Sequence, residues 1–158
     1  MKLKDFLEAN WKAAKLCFSI GDNHIPGAIY YRMTEMNIDD FVPLTYISKT
    51  LQTHENFKAF TKVETRHNIN KTMKKFFGND TFVEHIVPKK FVLQYWNECT
   101  SIAAFEKYLR APSSICFLTR EENALLPTYK GRETIECALK KYKECKIDIK
   151  PFRFTNEK

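Results

Sequence analysis

The sequence predicts an α+β chain, rich in helix, with a small strand–loop–strand–helix core in its C-terminal half. Three observations carry this. Residues 2–20 and 52–77 space their apolar side chains as helices do. Residues 81–87 and 115–119 are short runs dominated by β-branched, aromatic and other apolar side chains, which favour strands. The second run leads into Thr119-Arg120-Glu121-Glu122, a helix-capping-box pattern.

Each element follows in order. In residues 2–20, Leu3, Phe6, Leu7, Trp11, Ala14 and Phe18 form one apolar face between charged side chains. Gly21-Asp22-Asn23 breaks that helix, and Pro26-Gly27 marks a further loop. Residues 28–50 read ambiguously. Ile29-Tyr30-Tyr31 suits a short strand, and Asp39-Asp40-Phe41-Val42-Pro43 resembles a helix start. Residues 52–77 read as mostly helical. Lys58, Lys62, Arg66 and then Lys74 form a basic row, with Lys71 and Lys75 beside it. Such a row either tracks a phosphate backbone or is a solvated outer face.

Gly78-Asn79-Asp80 is a turn, after which the first strand runs to Pro88, which stops it. Residues 91–110 return to helical spacing through Phe91, Tyr95, Trp96, Ile102, Phe105 and Leu109. Residues 111–114 turn into the second strand, and a helix follows as far as Pro127. Residues 131–146 read as a last helix that buries Ile135, Leu139 and Tyr142. On this reading residues 1–78 are a helical region for recognition, dimerisation or support. Residues 79–158 hold the core.

Composition narrows the class. With 44% hydrophobic residues, including thirteen Phe, the 158-residue chain has material for a real core. The net charge of +7, shared by both halves, favours polyanions but also serves solubility. Five cysteines, with no Cys-x-x-Cys pair, argue against a zinc ribbon or a disulfide framework. Charged residues interrupt the N-terminus, and no run is long enough to span a bilayer. The expectation is a cytoplasmic protein without a membrane partner.

The chemistry lies at the end of the first strand. One-metal phosphodiester hydrolysis needs a neutral imidazole to take a proton from water and a hard cation held by oxygen ligands. Glu84-His85 offers a carboxylate and an imidazole, and Asn123 offers an amide oxygen one turn into the helix. Adjacent strand residues point to opposite faces, so Glu84 and His85 share a site only if the strand ends there.

Val83-Glu84-His85-Ile86-Val87-Pro88-Lys89-Lys90-Phe91 resembles the first motif of HNH (ββα-metal, His-Me finger) endonucleases. Phe117-Leu118-Thr119-Arg120-Glu121-Glu122-Asn123 resembles their second. Both are similar to the HNH domain of RNA-guided CRISPR nucleases and to the modules of modification-dependent restriction enzymes. The resemblance covers about residues 81–146. It implies that His85 is the general base and that Glu84, in place of the usual Asp, binds the metal with Asn123. The family's middle Asn is missing, leaving Ser113, Ser114 or a backbone carbonyl to orient the base. Lys89, Lys90, Lys130 and Arg132 are further candidate contacts to nucleic acid, beside the basic row.

The expected function is a DNA endonuclease dependent on Mg2+ or Mn2+, of a restriction or phage-defence type. One such site cuts one strand, so a homodimer is a reasonable expectation. The alternatives are a non-catalytic nucleic-acid-binding protein with a degenerate HNH fold and a helical interaction domain. His24, His54 and His67 read as surface histidines. Trp96 reads as core, and Tyr95 as either core or a base-stacking ring.

Overall fold

The computed structural model describes the chain except residues 36, 37, 39, 64–67 and 156–158, and except the Glu35 side chain. The described residues form an α+β fold around one mixed sheet. Helices α1 (Leu3–Ser19) and α2 (His24–Glu35) come first, then strand β1 (Thr45–Ser48). Short helices α3 (Lys49–Gln52) and α4 (Phe57–Phe60) precede α5 (Ile69–Phe77) and β2 (Thr81–His85). Helices α6 (Lys89–Glu98) and α7 (Ile102–Leu109) separate β2 from β3 (Ile115–Thr119). Helix α8 (Arg120–Leu125), α9 (Ile135–Glu144) and β4 (Ile149–Phe152) complete the order.

The sheet order is β2-β3-β1-β4. β2 pairs antiparallel with β3, Thr81 opposite Thr119 and His85 opposite Ile115. β1 runs parallel to β3 and antiparallel to β4. The two faces of the sheet build two cores, as the period-2 alternation of β3 requires. Cys116 and Leu118 join a cluster with Leu3, Tyr30, Trp96, Phe105 and Tyr142. Ile115 and Phe117 join the other, with Ile47, Phe60, Met73, Phe152 and Phe154.

Several elements match their sequence signals. The Thr119 hydroxyl accepts from the Glu122 N–H, and the Glu122 carboxylate accepts from the Thr119 N–H, a complete capping box. Trp96 is buried in the first cluster, stacked on Phe105 with ring centroids 4.8 Å apart. The insert of residues 91–110 is two helices. Cys99 turns extended after α6, and Ser101 caps α7 through the Ala104 N–H. Lys15 reaches across from α1 to cap the end of α6, donating to the carbonyls of Trp96, Asn97 and Cys99.

Other expectations are corrected. Ile29-Tyr30-Tyr31 is helical, within α2, because Pro26 and Gly27 lie in its first turn rather than in a loop. Proline is at home there, since a first-turn N–H has no helical partner. β1 escaped notice because its four residues are too few to show a period. The proposed long basic helix is broken. α4 ends at Phe60, and Asn68 takes a left-handed φ of 57° before α5 starts. Lys58 and Lys74 therefore sit on separate helices, with Lys62 in a turn between. Arg66 and His67 lie outside the described residues. No helix among the described residues is long and apolar enough to cross a membrane.

Candidate active site

β2 ends at His85 because the chain bends over residues 86–88 and Pro88 becomes the N-cap of α6. Ending the strand there lets Glu84 and His85 open on one cleft of about 650 Å³. Pro88, Lys89, Lys90, Leu93, Gln94 and Asn97 of α6 and its cap form one wall. Thr128 and Tyr129 form another, and Asn23 closes the edge. Lys89 and Lys90 occupy the first turn of α6, where the helix dipole is already positive. The Lys90 ammonium lies 4.8 Å from the Tyr129 ring centroid. The wall is thus cationic, with an exposed aromatic ring and three amide side chains.

His85 has one edge at the cleft and a sealed interior side. Its Nε2 is buried without a hydrogen-bond partner, and its ring packs 5.4 Å from that of Tyr30. Burial, reinforced by the charges of Lys89 and Arg132, lowers its pKa to about 4. The imidazole is therefore neutral at pH 7. Because its folded pKa lies below the unfolded value near 6.5, the unfolded chain binds the extra proton between the two. Stability from this group is full above about pH 6.5 and is lost as pH falls towards 4. The loss amounts to roughly 3 kcal/mol. Urea unfolding between pH 4 and 7 should show this slope, and His85→Gln should flatten it.

Arg132 decides what Glu84 can do. Expected at the surface, it is only 2% exposed. Its guanidinium donates to the Glu84 carboxylate at 2.7 Å, the His85 carbonyl at 2.5 Å and the Pro127 carbonyl at 3.2 Å. It also donates to the Ile86 carbonyl, at 3.1 Å and 3.2 Å. Arg132 therefore pins the loop after β2 to the loop after α8 and is buried away from the surface.

Asn123 does not join Glu84 and His85 among the residues lining the cleft. The capping box starts α8 where β3 ends at Thr119, opposite Thr81. His85 is at the other end of β2, about 13 Å away at 3.3 Å per strand residue. At 1.5 Å per residue, Asn123 advances about 6 Å from Thr119, short of that end. Arg132, five residues past Pro127, is the side chain that bonds Glu84.

The other candidates divide. Ser113 and Ser114 are both buried. The Ser114 hydroxyl is used within its own turn, donating to the Ala111 carbonyl at 2.7 Å. The Ser113 hydroxyl lies beside that of Tyr30 without a made bond. Lys130 is exposed just beyond the cleft residue Tyr129. Lys58 and Lys74 are exposed on helices that pack into the second core, on the sheet face away from α6. Sequence reasoning missed Asn23, Gln94, Asn97 and Tyr129 as cleft residues, because single polar residues on helices and loops carry no periodic signal.

A resident dication does not fit the donors in this arrangement. One Glu84 oxygen is held by a guanidinium, Lys89 adds a second nearby cation, and Asn123 is not among the residues that line the cleft. Among the described residues no group of three or more His, Cys, Asp or Glu side chains converges. No family model matches the chain, and no curated protein or solved structure shows significant similarity to it.

Proposed function

We propose that this chain binds nucleic acid in the α6 cleft and hydrolyses a phosphodiester there, with His85 as the proton acceptor. The observation that carries the reading is one juxtaposition. The strand-end pair Glu84-His85 opens on the same cleft as the N-terminus of α6 with Lys89 and Lys90. A helix N-terminus and two ammonium groups suit a phosphate. A neutral imidazole at its side suits deprotonation of water. Tyr129 offers a stacking face for a base, and Gln94 and Asn97 offer amides for its edge.

In the proposed reaction His85 takes the proton of the attacking water as the water oxygen bonds to phosphorus, while the bond from phosphorus to the leaving ester oxygen breaks and that oxygen takes up a proton from solvent. Lys89 and Lys90 balance charge as it grows on the phosphate oxygens. Arg132 holds Glu84 and the His85 backbone in place. No step is assigned to a metal ion. The second reading is nucleic-acid binding without cleavage, which the Arg132 grip on Glu84 favours.

Plasmid nicking with EDTA, Mg2+ or Mn2+ tests the proposal. Cutting in any of the three that tracks the purified protein supports hydrolysis. Binding without cutting in all three leaves the second reading. Lys89→Ala and Lys90→Ala should each weaken binding to a labelled oligonucleotide irrespective of its sequence. Each should also reduce the slope of log affinity against log salt by about 1. Unchanged slopes would place the phosphates away from α6.

A further inference from the structure

Among the described residues, five buried side-chain polar atoms lack hydrogen-bond partners, including Tyr30 Oη, His85 Nε2 and Ser113 Oγ. These three belong to neighbouring side chains. The Tyr30 and His85 rings pack at 5.4 Å with planes 37° apart. The Ser113 hydroxyl lies beside the Tyr30 hydroxyl. Backbone pairing brings Ser113 to the same place. His85 is opposite Ile115, and the Ile86 N–H donates to the Ser114 carbonyl at 3.0 Å.

Tyr30 and Ser113 are both fully buried, so bulk water does not serve their hydroxyls. Native folds rarely leave such groups idle, because each unpaired one forfeits its hydration. The inventory also balances. Each hydroxyl donates once and accepts, and a neutral imidazole nitrogen donates or accepts according to tautomer.

We propose that Tyr30 and Ser113 are positioning residues for His85, their hydroxyls closing with Nε2 into one hydrogen-bonded set. The set engages the inner ring nitrogen and leaves Nδ1 for whatever occupies the cleft. It thereby sets which nitrogen carries the proton. Tyr30 belongs to α2, so a helix of the first half completes a site that the motif places wholly in the second. The consequence for turnover rests on the hydrolytic reading above, whereas the hydrogen bonding does not.

The test uses the 158-residue chain labelled with 15N-histidine, the variants Tyr30→Phe and Ser113→Ala, and His85→Gln to assign the signal. Tyr30→Phe keeps the ring and removes one oxygen, so it carries the test if Ser113→Ala folds poorly. The expected results are a single His85 tautomer in the wild type, displaced His85 ring-nitrogen shifts in Tyr30→Phe, and a lower Tm. With plasmid DNA, kcat should fall about 10- to 100-fold at unchanged KM, the scale for losing a partner that orients a site residue. An unaltered His85 spectrum with an equal or higher Tm overturns the proposal, because deleting an idle buried hydroxyl does not destabilise. Displaced nitrogen shifts in a protein that cuts nothing would uphold the set and reject hydrolysis instead.

Discussion

Arg132→Ala should lose about 3–5 kcal/mol of folding stability, the cost of leaving one member of a buried ion pair alone. The whole stability of a domain is about 5–15 kcal/mol, so the variant should be marginal at room temperature. The reason is the number of groups one guanidinium serves. Removing it strands the Glu84 carboxylate and the carbonyls of His85, Ile86 and Pro127 together. Arg132→Lys should recover little, because an ammonium has no planar fork to spread over these acceptors. Glu84→Gln should cost less than Arg132→Ala, since an amide oxygen still accepts from the guanidinium. Urea midpoints at pH 7 decide the order. A loss below about 1 kcal/mol for Arg132→Ala would mean the pair is open to water, as at an exposed ion pair.

The second large effect concerns turnover. His85→Ala should lower nicking by about 10²- to 10⁴-fold, the usual contribution of a positioned general base. Oligonucleotide affinity should hardly change, because the lysines proposed to hold the phosphate sit on α6. Circular dichroism must show the variant folded, since the imidazole also fills space against Tyr30. Cutting at the wild-type rate would remove His85 from the reaction. Equal inactivity of wild type and variant would favour binding alone.

The sequence was most legible where one local rule suffices. The capping box at Thr119 and Glu122 appears in the structure, because it needs only residues three apart. The two strands around the insert also appear, and so does the strand end that turns Glu84 and His85 to one cleft. What failed depended on partners distant in the chain. Nothing near Arg132 announces a buried guanidinium, whose acceptors lie 46 to 48 positions away, apart from Pro127. Asn123 was placed by motif spacing, yet helix length and register fix how far it reaches. The basic row failed for a related reason. A four-residue spacing is a face only while the helix continues, and here it stops after Phe60.

The place of β1 in the sheet has a consequence for how the protein is made. Thr45 pairs with Phe152, so a central strand emerges from the ribosome 107 residues before its outer neighbour. At about 5–20 residues per second, that strand waits roughly 5–20 seconds for the partner that completes the sheet. During that wait Ile47, Leu51 and Phe60 have no Phe152 or Phe154 to pack against. Nascent chains halted before residue 149 should therefore be protease-sensitive and chaperone-bound, and release of the last strand should protect the first half as well as the second.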